Sequence, residues 1–297
     1  MTAVMTDGAV SKTTGTPRIR KKRWISRTTY YVSSSILALI FVFPLVWSAL
    51  ASVKTEQEAN TAPLSFPSHI IGDNYQALMN YGDGLPLYLQ NTLVVALLTV
   101  VGTVVLSFLA GYGFSLYSFR FKKLAFGAIL FILMVPYPTI LIPLYVLLAK
   151  VGLTNSLIGL AIIYITFQMP FAIFMMRNSF DAVPKELIEA ARIDGCSTFK
   201  IMTTIMLPMV LPGLVTVAMF AFLAAWNEFF APLIFLSDST KYTLPVMVLN
   251  AQTGQYGTVN WGALQAGVTL MMLPCVLLFL LLQRLYVNGL ISGAVKG

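Results

Sequence analysis

Charged residues are scarce: only 10% of the 297-residue chain is Asp, Glu, Lys or Arg, while 58% is hydrophobic. A soluble globular chain averages about 25% charged and about 45–50% apolar. This composition therefore excludes an ordinary water-exposed surface and makes membrane the simplest solvent. Histidine is nearly missing, with His69 alone, so a histidine-built metal site or a Ser-His-Asp triad has little material. The two cysteines, Cys196 and Cys275, lie one in a charged stretch and one in an apolar run, which argues against a disulfide framework. No P-loop signature (GxxxxGK followed by Ser or Thr) occurs, so the chain does not itself hold ATP that way. Paired acids are absent from the apolar runs as well. A membrane enzyme would have few tools here, and neither a catalytic residue nor a metal ligand set is expected.

What is present is a series of long apolar runs. A spanning helix needs about 20 mostly apolar residues, and six segments qualify: Tyr30–Ser52, Leu87–Tyr117, Leu124–Ala149, Leu157–Met176, Met209–Leu236 and Ala263–Leu282. The formal net charge of +8 would suggest nucleic acid in a soluble protein; the positions of the basic residues decide otherwise. Sixteen of the 19 lie before span one, between spans two and three, between spans four and five, or after span six. Lys54, Lys150 and Lys241 occupy the other side. Lysine and arginine concentrate on the cytoplasmic face, so the expectation is an all-α multi-pass membrane protein with both termini cytoplasmic and no nucleic-acid partner. A cleaved signal peptide ending near Ala49–Ala51 is a rival reading of span one. Its apolar run is about 22 residues, longer than the 7–15 of a usual signal core.

Prolines crowd the third span in "MVPYPTILIPLYV", and Pro170, Pro212, Pro232 and Pro274 fall in or near others. Each alone reads as an ordinary kink; together they suggest a bundle whose neighbours satisfy the freed carbonyls. Residues 1–27 are basic, small and polar and are expected to be disordered. The membrane domain is expected over 28–288, with a tail at 289–297.

The charged island "VPKELIEAARIDGCSTFKIMTTIMLP", Val183–Pro208, interrupts this apolar background within a cytoplasmic loop of residues 177–208. Pro184 suits the first position of a helix, with Glu186 in the favourable first turn. Leu187, Ala190 and Ala191 share one face at helical spacing, which Val183 can extend. Gly195 stops the helix, and Ser197 or Thr198 can cap a second one whose apolar face is Phe199, Met202, Ile205 and Met206. Pro208 is expected to end it and open span five. A surface amphipathic hairpin linking two spans is the plain alternative.

The anchors Glu189, Ala190, Ala191, Gly195, Ile205, Leu207 and Pro208 resemble, at every position, the EAA loop of permease subunits of bacterial ABC importers. The likeness runs from about residue 28 to 297. "WNEFFAPLIFL" at Trp226–Leu236, "NYQALM" after the first outer loop and "YVNGLISGAVKG" at Tyr286–Gly297 resemble carbohydrate permeases of the maltose type, in the smaller subunit of the heterodimer. The resemblance implies the ABC importer permease fold and a sugar moved across the bacterial cytoplasmic membrane by alternating access. It implies a second homologous permease subunit, two ATPase subunits that carry ATP and Mg, and an extracytoplasmic sugar-binding protein. It further implies that Glu189 contacts the ATPase, that Ala190 and Ala191 allow close approach, and that Gly195 makes the turn. Asp194 belongs to the same contact region, and the tail Gly293, Ala294, Val295, Lys296 and Gly297 reaches the ATPases. This chain would bind no cofactor.

Within the spans, Glu228 beside Asn227 is a costly intramembrane carboxylate; it either lines the pathway or interface, or fixes helix packing. Asn91 and Gln168 could meet sugar hydroxyls, or serve as helix contacts. Tyr137, Tyr145, Tyr164 and Phe167 could stack on a sugar ring but read equally as packing. The resemblance implies that the partner permease supplies most sugar contacts. Other functions remain: an importer permease for a polyamine or phosphate-containing solute, or an ATP-independent secondary transporter. The latter would more naturally show ten or more spans or several mid-membrane acids.

Overall fold

The computed structural model describes residues 19–252 and 259–294, with side chains over 27–252 and 259–283. The chain divides after Trp47 into two units, so the membrane domain expected over 28–288 spans both. In the first unit, helix α1 (Ile19–Ala51) begins. It starts at Ile19, within the stretch 1–27 set apart from the membrane domain in the sequence. Lys and Arg are good helix formers, and they extend the apolar helix rather than stopping it. From Arg27 onward α1 is long and apolar enough to cross a membrane. Phe43 and Trp47 stack in it at 5.5 Å.

The second unit is built on α4 (Leu85–Leu116), α7 (Leu157–Asp181) and α10 (Leu207–Asn227). These three approach closely because they present small residues to one another, as membrane helices do where lipid offers no hydrophobic drive to associate. Thr99, Thr103, Ser107 and Gly111 recur every four residues along α4 and are all buried. A Cβ on Gly111 would lie 2.5 Å from the Met176 Cβ of α7, and one on Gly213 of α10 would collide with the Ser179 hydroxyl. The α4 hydroxyl of Thr99 stays satisfied by bonding back, donating to Val95 O at 2.8 Å. The last long helix, α13 (Trp261–Ala294), is tied to α10 by the Trp226 indole, which donates to Met271 O at 2.9 Å.

Shorter helices join these: α2 (Glu56–Thr61), α3 (Asp73–Met79), α5 (Lys122–Phe131), α6 (Tyr137–Lys150), α8 (Lys185–Ile193), α9 (Thr198–Lys200), α11 (Phe230–Phe235) and α12 (Leu244–Ala251). The expected third span, Leu124–Ala149, is not one helix. Its halves α5 and α6 meet at 107°. Val135 precedes Pro136 and is extended (φ −83°, ψ 124°), as is Pro136 itself (φ −61°, ψ 126°); a residue before proline is pushed out of the helical region. The described residues thus hold five long spanning helices, or six spans if the bent pair counts as one.

Two further corrections concern span five. It ends at Asn227 rather than Leu236, because Glu228 is extended (φ −72°, ψ 133°). At its other end Pro208 does not break the chain: Thr198–Asn227 is one continuous 30-residue helix. Residues Ile201–Met206 widen into a π-type turn, with Leu207 N donating to Met202 O. The ladder slips by one residue just before the proline that cannot donate, so the rod runs on. At 1.5 Å per residue it is about 45 Å long.

Fully buried Lys54 organises the loop after α1, donating to Ala62 O and Pro63 O, each at 3.1 Å. Asn74 clamps the same stretch through Ser52 O and Lys54 O, each at 2.8 Å.

Candidate coupling site and polar cluster

At the Leu207 end of the rod, α8 packs on the trunk. Pro184 stands just before the helix, at its capping position, and Lys185 is the first helical residue. That is one residue later than expected for Pro184, whose φ of −58° suits either position. Val183, Ile188 and Ala191 are buried among Tyr112, Met176, Phe180, Met206 and Val210. Leu187 is 44% exposed and Ala190 also faces out, which corrects the inward face read from sequence. Leu187 and Ile188 are adjacent, 100° apart on the helix; Ile188 falls in line with Ala191 and enters the core, leaving Leu187 outside.

The helix ends in a Schellman motif. Cys196 N donates to Ala191 O at 2.9 Å, and Gly195 N to Arg192 O at 3.0 Å. Gly195 takes the left-handed conformation this requires, with φ +75°. Ser197, rather than Thr198, caps α9, accepting from Lys200 N at 3.3 Å. Phe199, expected on the inner face, is 71% exposed, while Ile201 and Met206 are buried and Met202 and Ile205 pack against them. Leu207 is partly buried, and Pro208, Asp194 and Glu189 are exposed. The outer surface of this turn thus carries Leu187, Glu189, Ala190, Ile193 (86% exposed) and Phe199. A cavity of about 260 Å³ lies beside it, lined in part by Asp181, Lys185, Glu189 and Arg192. The base is fixed electrostatically. Asp181 accepts from Ser115 Oγ at 2.6 Å and lies 3.4 Å from Arg177 Nε, and Arg177 sits 4.2 Å over the Phe126 ring.

At the other end of the rod is a polar cluster. Glu228 is not inside a helix but at the break between α10 and α11. Its Oε1 accepts from Phe230 N at 2.8 Å and Ala231 N at 3.2 Å. Tyr137, the first residue of α6, and Tyr164 of α7 pack in one cluster with Ala231, whose amide bonds the Glu228 carboxylate. Both tyrosine hydroxyls are buried without a well-formed hydrogen bond. The Asn227 amide donates to Leu223 O at 2.9 Å. Asn91 is elsewhere, with Nδ2 donating to Thr240 O at 2.9 Å and Tyr242 O at 3.0 Å. Gln168 is partly buried on α7, one turn after Tyr164. The sequence offered Tyr137 and Tyr164 as stacking or packing rings, and both rings pack in the core, Tyr137 meeting Phe167 edge-on at 4.5 Å. The signal that could have raised Tyr137 was its position between Pro136 and Pro138, which marks a helix start. Of the tail, Gly293 and Ala294 continue the backbone of α13; Val295, Lys296 and Gly297 lie outside the described residues.

The described residues thus form a trunk of long apolar helices with one sharply bent pair and an anchored turn at one end. The family model described as "Binding-protein-dependent transport system inner membrane component" matches residues 103–291, and the chain belongs to that family. It is 34% identical over 280 residues to the diacetylchitobiose uptake system permease protein DasC of Streptomyces coelicolor, covering 93% of this chain and 100% of that protein. It is 31% identical over 273 residues to the trehalose/maltose transport system permease protein MalG of Thermococcus litoralis, covering 92% and 98%. Its fold matches a chain of a bacterial ABC transporter involved in the import of the acidic polysaccharide alginate. That match has a TM-score of 0.74 at 19% identity, over 91% of this chain and 99% of the other.

Proposed function

We propose that this chain is one of two permease subunits of an importer that carries a sugar across the cytoplasmic membrane. Two separate ATPase subunits drive it and an extracytoplasmic binding protein supplies the sugar. The relatives named for diacetylchitobiose and for trehalose and maltose support the substrate class. One observation carries the coupling reading. The turn of α8 is anchored inward by Ile188 and Ala191, presents Glu189 and apolar side chains outward, and feeds directly into a continuous 30-residue helix. An anchored turn on a rod transmits displacement; a loose linker would absorb it. ATP-driven closure of the ATPases pushes α8, and the rod carries that motion to the break at Glu228. The concentration of basic residues on one side supports a cytoplasmic place for α8 and both termini, with the tail 293–297 as a further ATPase contact. ATP and Mg belong to those subunits. The test is assembly: Glu189→Lys should strip co-purifying ATPase while leaving the chain in the membrane.

A further inference from the structure

No Asp or Glu occurs between Asp83 and Asp181. Inside that stretch the loop joining α4 to α5 reads "YSFRFKK", Tyr117–Lys123, and carries three cations. Lys122 is used within the fold: its Nζ donates to Ser115 O at 3.2 Å and to Tyr117 O at 2.9 Å, closing the end of α4. Arg120 and Lys123 are exposed and form no ion pair among the described residues. Arg120 lies 5.6 Å over the Phe121 ring. Asp181, at the base of α8, is already held by Ser115 and Arg177. The loop therefore carries positive charge that the chain itself does not answer.

Its backbone is fixed by aromatic packing. Phe119 meets Phe114 at 5.8 Å, Phe114 meets Phe126 at 5.6 Å, and Tyr117 meets Tyr112 edge-on at 5.9 Å. Even so, Tyr117, Phe119 and Phe121 remain exposed, as does Leu124 in the first turn of α5. Depth follows from length. The 32 residues of α4 make a rod of about 48 Å, against about 40–45 Å for a bilayer with its headgroups. A helix of that length puts its ends in the headgroup layer, and the apolar α5 turns back from it. Amphipathic rings settle at that level, and a basic side chain there gains roughly fivefold in affinity for an anionic leaflet. A soluble partner would have to reach rings and an exposed leucine at membrane depth, where lipid already stands.

We propose that Arg120 and Lys123, on the aromatic platform of Tyr117, Phe119 and Phe121, bind the headgroup phosphate of anionic phospholipid at this end of the trunk. The inference is independent of the solute carried and of which face of the membrane the loop occupies.

The test uses the whole importer, with its partner permease and ATPases, in nanodiscs of phosphatidylcholine and phosphatidylglycerol. With every other cysteine of the complex replaced by serine, Ser118→Cys places a fluorophore at an exposed position of the loop. Brominated phosphatidylglycerol and brominated phosphatidylcholine then quench it in separate samples of equal overall composition. The ratio of the two reads which lipid the loop gathers. The unsubstituted loop should enrich phosphatidylglycerol about tenfold or more, less at high salt. Arg120→Gln and Lys123→Gln should each lower that preference about fivefold, and Lys123→Arg should retain it. Lys150→Gln, at the far end of α6, should leave it unchanged. Equal quenching by both lipids in the unsubstituted loop, or an unchanged preference in both Gln variants, overturns the proposal. Equal quenching accompanied by loss of co-purifying ATPase from the Gln variants overturns it in favour of a protein contact.

Discussion

Replacing Gly195 isolates the turn that joins α8 to the rod. Its φ is +75°, and a Cβ placed there meets no atom within 4 Å. Crowding therefore contributes nothing, and any penalty is backbone strain alone. For an L-residue the left-handed region costs roughly 1–2 kcal/mol, and a β-branched residue is a genuine outlier there. Gly195→Ala should sit within that range and Gly195→Val beyond it, whereas Asn enters the region several-fold more often than other L-residues. At 1.4 kcal/mol per factor of ten, Val lowers the population of the native turn at least several-fold. The two carbonyls of the Schellman motif, on Ala191 and Arg192, lose their donors in that alternative state. The chain should still insert, since no span changes. Sugar moved per ATP hydrolysed should fall in the order Gly, Asn, Ala, Val, even where ATPase stays bound. Asn as damaging as Val, or Val indistinguishable from wild type, would refute the strain argument.

Other consequences can be checked separately. Gly111→Leu forces its side chain into the Met176 Cβ and the backbone of α7, at 2.5 and 2.9 Å from the Cβ alone; overpacking of this kind costs about 1–3 kcal/mol or more, read as a lower melting temperature in detergent. Asn91→Ala leaves the carbonyls of Thr240 and Tyr242 without their donors, a loss of about 1–3 kcal/mol. It should raise hydrogen exchange around residues 240–244 while leaving α8 protection unchanged. With Cys196 and Cys275 replaced by serine, single cysteines at the exposed positions Ala77 and Ser197 should react with an impermeant thiol reagent from outside and from inside respectively. Labelling of the Ser197 position from outside intact cells would invert the topology.

Long uninterrupted apolar runs were readable because a membrane demands them, and α4 and α7 begin within two residues of expectation. The breaks were not readable. A proline in an apolar run is compatible with a kink or with a full stop, and only the pairing Pro136–Tyr137–Pro138, with both Val135 and Pro136 extended, turns one span into two arms. Pro208 shows the converse: it reads as a terminator, yet the widened turn at 201–206 absorbs it. Gly195 and Ser197 were legible since left-handed turns and caps depend on local chemistry. The face of α8 was less so, because Leu187 and Ile188 are equally apolar and only the neighbouring helices choose between them. Glu228 was visible as an anomaly, but Tyr164 and Tyr137, which cluster with Ala231 beside it, are 64 and 91 positions away in the chain, a neighbourhood set by packing between helices.

The most direct test of the account is ATPase retention by Glu189→Lys. Losing one partner of a hydrogen-bonded charge pair at an interface costs roughly 2–5 kcal/mol, more than a tenfold loss of affinity, whereas a surface linker would register within about 0.5 kcal/mol. Co-purifying ATPase per permease should therefore fall more than tenfold, with membrane content unchanged and sugar uptake abolished. Wild-type ATPase stoichiometry and uptake in that variant would return α8 to a passive link between two spans and contradict the coupling mechanism.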